Sequence, residues 1–385
     1  MKKLLAIAGR KRRRPIMAKL VVIPIAVAAV LVGTAAAHST SGAGRVRTLR
    51  TATAVSGLAA DGSRVAVSTF CGAHVYELFA WNPLRRSVVS MAPRRQRRCY
   101  GASTGEGIWE GSIAGRQVAW VPYAGGNSQQ AWLVTATTRK PLSTRRLTET
   151  KNRNTGDGVG DWVGNIHGDG PLLVFNTWTV CEKSEYTDSC PEGTPPGYHI
   201  YNENLWRIAG GRKRLLVASP DELTVLAAAA GRILVQREDG SLEIRRGADG
   251  NVVRAFPFRP GEVRAAVLDA SELVVLDRAS GLHWRVYDPV SGEQERVLPA
   301  VARVVSADVE RGLLVYTVGW RRFVHVLRLA DGRRTRFTAP IVGIAHENPA
   351  PVVAQIEPSG LFYSYQVRST GRVRFVPFNQ IGLGR

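Results

Sequence analysis

Residues 233–256 read ILVQREDGSLEIRRGADGNVVRAF. Three short runs with strand-like composition are separated by two Asp-Gly pairs, Asp239-Gly240 and Asp249-Gly250. Asp-Gly between such runs is a strong hairpin signal, because glycine readily adopts the positive φ angle that a tight turn requires. The stretch therefore predicts three antiparallel strands joined by two hairpins.

The same pattern returns three times towards the C-terminus, in residues 273–298, 313–337 and 352–378. Its leading apolar strands begin about every 40 residues, near Ile233, Leu273, Leu313 and Val352. Another apolar run, such as residues 263–268 or 304–309, precedes each of them. Units of about 40 residues with four strands are typical of β-propeller blades.

Three looser units precede this region. Residues 65–68, 118–121 and 172–175 resemble the same strand at spacings of about 53 to 61 residues, and we interpret the excess as loop insertion. The expected fold class is therefore all-β, a seven-bladed β-propeller of four-stranded antiparallel blades, with six or eight blades as alternatives. Residues 45–51 and 372–378 both resemble outermost strands, so one of them should pair with the blade at the other end and close the ring.

The first 37 residues differ in chemistry from the rest of the chain. Eight Lys and Arg residues precede an apolar stretch from Leu20 to Ala37 that ends in small residues. This pattern predicts a signal peptide, with an uncleaved membrane anchor as the alternative, and Met17 is an alternative start to Met1.

The chain is accordingly divided into three parts. Residues 1–37 are the signal peptide or transmembrane anchor, residues 38–44 a short linker, and residues 45–385 the propeller. We expect the propeller to be extracytoplasmic, either secreted or tethered to the cytoplasmic membrane by the N-terminal segment.

The net charge is +21, and +13 remains beyond residue 37, because the eight basic residues before it have no acidic counterpart there. Arginines are spread along the expected outer strands instead of clustering with aromatic residues. This favours solvated strand faces, with attraction to an anionic envelope as the alternative. An exported chain rarely meets nucleic acid, so we expect no nucleic-acid partner.

The segment from Asp61 to Ser68, DGSRVAVS, resembles the Pro-Asp-Gly-Lys-Arg-Ile-Ala-Phe-Ser phrase of TolB-type, WD-repeat-like propellers. Weaker echoes occur in residues 114–120 and 231–235, and the resemblance extends as a pattern over about residues 45–378. It implies a propeller whose relatives chiefly bind proteins or ligands.

Strand order assigns each loop of a propeller to one of its two faces. Hairpins between the second and third strands of a blade emerge on the same face as the crossovers between blades. Cys71, Cys99, Cys181 and Cys190 all fall in such loops. In an exported chain this favours two disulfides, Cys71 with Cys99 and Cys181 with Cys190, among three connectivities, with a zinc site as the alternative.

Three long loops, residues 92–107, 148–161 and 179–197, are expected on that face in blades 1 to 3. Long loops on a rigid scaffold usually carry binding, and insertion without function is the alternative. For Trp109 and Trp162, packing between blades competes with stacking on a sugar or a peptide. The candidate binding residues are Arg94, Arg95, Arg97, Arg98, Tyr100, Trp109, Asp161, Trp162 and Tyr186.

Motifs for catalysis and metal binding are incomplete. Residues 101–105 match G-x-S-x-G but lack the helix pattern that forms a nucleophile elbow. Asp157 and Asp161 are weak candidates for a calcium site, because clusters of Gly, Asp and Asn also form ordinary turns. We expect no catalytic residues and no cofactor, and the sequence favours a protein that is not an enzyme.

These observations predict an extracytoplasmic binding or scaffold protein that engages an envelope protein, a peptide or a glycan through the long loops of blades 1 to 3. A propeller-type hydrolase or lyase with a carboxylate or metal site at the channel mouth is one alternative. A structural module of an envelope assembly is another.

Overall fold

The structure is a computed structural model that describes residues 44–71, 74–92, 107–125, 128–140, 142–150, 153–154, 159–184, 189–279, 281–301, 303–319, 322–339 and 351–382. These residues form seven four-stranded antiparallel blades, which confirms the predicted fold class. The segment expected to be a signal peptide or anchor lies outside the described residues. Among the described residues, no helix has the length and apolar character needed to cross a membrane.

The strands of each blade follow one another from the central channel outward. The first strand of the chain, β1 (Arg47–Arg50), belongs to the last blade. Blade 1 contains β2 (Val55–Asp61), β3 (Arg64–Cys71), β4 (His74–Asn82) and β5 (Ser87–Ala92). Blade 2 contains β6 (Gly107–Ala114), β7 (Gln117–Gly125), β8 (Ser128–Thr137) and β9 (Thr144–Glu149). Blade 3 follows the short strand β10 (Arg153–Asn154) and contains β11 (Gly160–Asp169), β12 (Leu172–Lys183), β13 (Gly197–Ala209) and β14 (Arg212–Ser219).

Blades 4 to 6 have strands of five to seven residues, and blade 7 has two of eight. Blade 4 contains β15 (Leu223–Ala229), β16 (Arg232–Arg237), β17 (Leu242–Arg246) and β18 (Val252–Phe256). Blade 5 contains β19 (Val263–Leu268), β20 (Leu273–Asp277), β21 (His283–Tyr287) and β22 (Gln294–Pro299). Blade 6 contains β23 (Val304–Glu310), β24 (Leu313–Val318), β25 (Phe323–Arg328) and β26 (Arg334–Thr338). Blade 7 contains β27 (Ala354–Glu357), β28 (Gly360–Val367), β29 (Thr370–Pro377) and β1, and a 3₁₀ turn (Phe378–Gln380) follows.

The Asp-Gly pairs of blade 4 form the tight turns that the sequence predicts. Gly240 and Gly250 have φ angles of 85° and 80°. Asp239 Oδ1 accepts the N–H of Ser241 at 2.9 Å, and Asp249 Oδ1 accepts the N–H of Asn251 at 3.0 Å. Aspartate thus caps each turn while glycine supplies the backbone conformation.

The ring is closed by the N-terminal strand. β1 pairs antiparallel with β29, with Arg47 opposite Phe375 and Arg50 opposite Arg372. The predicted closure is confirmed, and the N-terminus supplies the outermost strand of the last blade.

One strand assignment was wrong. The run beginning near Val352 was aligned with the second strand of the other units, but it leads into β27, the first strand of blade 7. β26 ends at Thr338 and β27 begins only at Ala354. Counting 40 residues from Leu313 therefore leads to the first strand of blade 7 instead of its second strand. Since β1 is the fourth strand, residues 372–378 belong mainly to the third strand, β29.

A hydrophobic cluster fills each junction between neighbouring blades. Between blades 5 and 6, for example, Trp284 packs against Tyr316 with ring centroids 5.7 Å apart. At the closing junction, Phe362 and Phe375 of blade 7 pack with Trp81 of blade 1. Both faces of every blade are therefore buried, so each blade depends on its two neighbours.

Asn176 joins blades 3 and 4 by polar contacts inside this core. It is fully buried, its Nδ2 donates to the carbonyl of Leu223 at 3.0 Å, and its Oδ1 accepts the N–H of Val225 at 2.9 Å. Beside it, Glu203 Oε2 accepts the N–H of Leu223 at 2.7 Å. These side chains satisfy the backbone groups of β15 at the point where it faces blade 3.

Removal of residues 1–51 should destabilise the propeller, because it deletes β1 and exposes the edge of β29. We expect the melting temperature to fall by about 5 °C or more, since 1 kcal/mol corresponds to roughly 2–4 °C in large domains. Calorimetry and sedimentation measure the loss and any self-association through the open edge. A chain lacking only residues 1–43 is the control, and equal melting temperatures for the two chains would contradict this account of closure.

Replacement of Asn176 by Ala should lower the free energy of unfolding by about 3 kcal/mol, because a buried N–H and a buried carbonyl lose their partner. Urea titration measures the change. The matched control is Asn251→Ala, in an exposed hairpin turn, which should change stability by less than about 0.5 kcal/mol. Equal effects of the two substitutions would show that the Asn176 contacts do not stabilise the junction.

Candidate functional site

The two faces of the propeller carry different connections. Crossovers between blades and hairpins between second and third strands emerge on one face, which we call the loop face. Turns between first and second strands, and between third and fourth strands, emerge on the other face, which we call the turn face. The described strand ends that flank the long loops of blades 1 to 3 therefore lie on the loop face.

The blade 3 hairpin on the loop face is long and cross-linked. β12 extends to Lys183, β13 begins at Gly197, and Cys181 forms a disulfide with Cys190. Ser189 adds a second tie, since its Oγ accepts the N–H of Glu182 at 2.9 Å. The predicted pairing of these cysteines is confirmed, and the disulfide favours an oxidising environment outside the cytoplasm.

The structure describes only one cysteine of the other predicted disulfide. Cys71 ends β3 at the loop face, whereas Cys99 lies outside the described residues. The pairing of Cys71 with Cys99 therefore stays a prediction.

Several candidate binding residues also fall outside the described residues. They are Arg94, Arg95, Arg97, Arg98, Tyr100 and Tyr186. Trp109, Asp161 and Trp162 are described, and each lies near the loop-face end of the first strand of its blade.

Trp109 and Trp162 come together on the loop face in a row of four aromatic side chains. The ring centroids of Tyr123 and Trp109 are 5.0 Å apart, those of Trp109 and Trp162 5.9 Å, and those of Trp162 and Trp178 6.0 Å. Trp109 remains 45% exposed. We call these four side chains the aromatic row.

Sequence reasoning missed Trp178, because a β-bulge changes its register. Counting back from the turn that pairs Asp169 with Leu172 would place Thr179 opposite Trp162. The register of β11 with β12 shifts between Gly164 and His167, so Trp178 lies opposite Trp162 instead. The two rings stack with 14° between their planes.

A cleft of about 240 Å³ opens between blades 2 and 3 beside the aromatic row. Trp162 and Trp178 line it together with the carboxylates of Asp161 and Glu149. Further lining residues carry hydroxyl, amide or ammonium groups; they include Thr148, Thr150, Thr177, Thr179, Asn202, Asn204 and Lys213. We call this cavity the blade 2–3 cleft.

The central channel is a second cavity, of about 770 Å³, lined by the first strands of all seven blades. Glu110 and His167 both line it. Burial raises the pKa of Glu110 to about 7, although the N–H groups of Ile166 and Asn165 oppose the shift. Burial lowers the pKa of His167 to about 4, so this imidazole is neutral at pH 7.

Carboxylates at the turn-face end of the channel join neighbouring blades. The Asp61 carboxylate accepts the N–H of Gly115 in blade 2, and Asp269 accepts the N–H of Arg311 in blade 6 at 2.9 Å. Asp169 and Glu357 make equivalent bonds to Ala230 and Gly62 at 2.5 and 2.8 Å. The aspartate of the segment from Asp61 to Ser68 therefore has a structural role.

The same carboxylates repel one another around the channel. Burial is the main reason why the pKa of Glu357 is raised to about 9, and the nearby charges of Asp308 and Asp61 raise it further. Burial also raises the pKa of Asp308 and of Glu310 to about 7. At neutral pH, part of this cluster therefore holds protons.

The described residues include no group of three or more His, Cys, Asp or Glu side chains placed to hold a metal ion. Asp161 Oδ1 accepts a hydrogen bond from Thr179 Oγ1 at 3.0 Å, and Asp157 lies outside the described residues. The calcium prediction for these two residues stays untested.

No protein-family model matches the sequence, and no curated protein is significantly similar to it. The propeller architecture itself is established by the sheet topology. The resemblance to TolB-type propellers therefore stays a prediction from the one close motif.

Replacement of Glu357 by Gln should stabilise the propeller at alkaline pH. With a folded pKa of about 9 against an ordinary 4.5, the stability contributed by this group is complete below pH 4.5 and is lost as the pH rises through 9. Glutamine keeps an acceptor for the Gly62 N–H without the charge. We expect a melting temperature a few degrees above that of the wild type at pH 8 and little difference at pH 4.

The control is Glu238→Gln, in an exposed turn of blade 4. This substitution should leave the melting temperature unchanged at both pH 8 and pH 4. A Glu357→Gln variant that melts with the same pH dependence as the wild type would show that Glu357 ionises normally in the folded chain.

Proposed function

We propose that this chain is a binding propeller that works outside the cytoplasm and engages a protein, a peptide or a glycan through the loop face of blades 1 to 3. The aromatic row is the observation that carries the proposal. Four large rings in mutual contact, with Trp109 45% exposed, form the kind of rigid anchor that recognition surfaces use.

The surroundings of the aromatic row support the same assignment. The disulfide between Cys181 and Cys190 constrains the neighbouring hairpin, which reduces the entropy lost when a ligand binds. The blade 2–3 cleft adds polar groups beside the rings. Apolar and polar contacts are thus available at one place, as in ligand sites generally.

The turn face is a weaker candidate, because its channel carboxylates already have structural partners. Asp61, Asp169, Asp269 and Glu357 each accept a backbone N–H of the next blade. The hydrogen bonds that join the blades explain why acidic residues occur at these positions, so a ligand is not needed to explain them.

Location outside the cytoplasm is supported by two independent features. The basic residues followed by the apolar stretch from Leu20 to Ala37 match an export signal or a membrane tether. The Cys181 disulfide suits an oxidising compartment. We therefore expect the ligand to be a component of the cell envelope or of the medium.

A photo-crosslinking amino acid tests which face binds. Placed at Tyr198, which is 58% exposed at the base of the blade 3 hairpin, it should label a ligand in the native envelope fraction. Placed at Val290, which is 56% exposed in a turn-face loop of blade 5, it serves as the control. We expect about tenfold more labelled product from position 198 than from position 290. A ligand reaches this ratio if it binds the loop face more strongly than the turn face by about 1.4 kcal/mol.

Gel mobility and mass spectrometry identify the products. Equal labelling from both positions, or labelling from position 290 alone, would show that the loop face of blades 1 to 3 is not the binding surface.

A further inference from the structure

The blade 2–3 cleft combines aromatic walls with hydrogen-bonding groups. Trp162 and Trp178 line it with nearly parallel indole rings, 14° apart, and their centroid distance of 6.0 Å means that the two rings do not cover each other completely. A pyranose ring has a face of C–H groups that packs on such a surface, while its hydroxyl groups point outward around the ring. Stacking on indole is therefore a means of holding a sugar without a deep apolar pocket.

The polar groups of the cleft are fixed by bonds among themselves. Asp161 accepts from Thr179 Oγ1 at 3.0 Å, and Asn204 Nδ2 donates to the carbonyl of Asn202 at 2.9 Å. Lys213 Nζ donates to Thr148 Oγ1 at 3.1 Å. Carboxylate, amide and hydroxyl groups retain further acceptor or donor capacity beyond one bond each, and hydroxyl groups of a sugar are both donors and acceptors.

Backbone irregularities aim these side chains into the cleft. The register of β12 with β13 shifts between Thr177 and Thr179, so Trp178 faces two residues, Asn202 and Glu203. Asn202 has a φ angle of 53°, in the left-handed region. Bulges commonly redirect side chains next to binding sites, and residues in this region cluster where function requires them.

The charges around the cleft are close to balanced. Its lining includes the carboxylates of Asp161 and Glu149 and the ammonium group of Lys213, and Glu149 also pairs with Arg146 at 3.3 Å. The Lys213 ammonium also lies 4.4 Å from the centroid of Trp206, and burial lowers its pKa. An anionic ligand would therefore find no excess of positive charge at the cleft, whereas a neutral sugar needs none.

The size of the cleft and the composition of its lining favour a sugar over a peptide as the ligand. The cleft encloses about 240 Å³, somewhat less than the roughly 300–1,000 Å³ of pockets that hold drug-sized molecules. Among the described residues that line it, Val163 is the one aliphatic side chain. A peptide anchor would need a more apolar pocket.

We infer that the blade 2–3 cleft binds one sugar ring of a neutral glycan, stacked on the indoles of Trp162 and Trp178 and hydrogen-bonded through Asp161 and Asn204. This inference rests on the proposed function and names the ligand class of its site. The hydroxyl groups of the sugar take the place of water on the polar wall, and no covalent step is involved.

Saturation-transfer NMR with defined sugars tests the inference on the purified propeller. The probes are the methyl glycosides of glucose, galactose, mannose, N-acetylglucosamine and arabinose, with glucuronic acid and glucose 6-phosphate as anionic comparators. We expect transfer to the C–H protons of at least one neutral glycoside and a change in tryptophan fluorescence during its titration. The anionic comparators should give weaker signals.

Two substitutions locate the binding. Asp161→Ala, at an exposed position, and Trp178→Ala should each weaken the binding of the responding glycoside about tenfold or more, the effect of losing about 1.4 kcal/mol of contact. Trp178→Phe keeps an aromatic ring and should retain part of the affinity. The matched control is Asp221→Ala, at an exposed carboxylate outside the cleft, which should leave affinity within about twofold, since the Asp221 side chain is 57% exposed and lies 3.9 Å from Arg237.

Three results would overturn the inference. They are no transfer from any neutral glycoside to a folded wild-type chain at millimolar concentrations, binding unaffected by both cleft substitutions, and preferential binding of the anionic comparators. Because Asp161→Ala changes an exposed side chain, a folding defect in Trp178→Ala would leave a usable variant.

Failure of the ligand class and failure of the binding face give different results. If the sugars do not bind but position 198 still crosslinks a ligand, the loop face stands and the carbohydrate assignment is wrong. If neither experiment gives a signal, the proposed function fails with it.

Discussion

The pairing of β1 with β29 is the contact on which the rest of this structure depends. Each blade buries both of its faces against its neighbours, so an open ring would leave two blades with an uncovered apolar face. The N-terminal strand prevents this by completing the last blade from the other end of the chain. Residues far apart in sequence thereby share one sheet, and a rigid disc results, on which the loops and the aromatic row hold fixed positions.

Much of this arrangement could be predicted from sequence, because turn chemistry and spacing are local. The Asp-Gly turns of residues 233–256 gave the strand order, and the spacing of the units gave the seven blades. The order of strands then placed Cys181 and Cys190 on one face, and their disulfide is present. The strand beginning near Val352 was misassigned, because spacing alone cannot show that a crossover has lengthened while the N-terminus supplies a strand.

The candidate site was less predictable, since it depends on contacts between elements. Trp109 and Trp162 were identifiable as residues at the loop-face ends of first strands. The position of Trp178 depends on a bulge in β11 that follows no turn signal, and the contacts of Lys213 cross from blade 3 to Thr148 in blade 2. Bulges and side-chain contacts between blades are set by packing of the assembled ring, which periodicity does not describe.

The distribution of acidic groups distinguishes structural carboxylates from those of the proposed recognition site. Around the channel, carboxylates accept backbone N–H groups of the next blade, and burial, with a smaller contribution from neighbouring carboxylates, raises the pKa values of Glu357, Asp308 and Glu310. Such a cluster joins neighbouring blades at some cost in electrostatic repulsion, and Asp61, Asp308 and Glu357 already accept backbone N–H groups. At the blade 2–3 cleft, by contrast, Asp161 is exposed and bonded to one threonine hydroxyl. A carboxylate there can exchange water for a ligand hydroxyl without breaking the junctions that hold the ring together, and this favours the proposed recognition at the cleft over recognition in the channel.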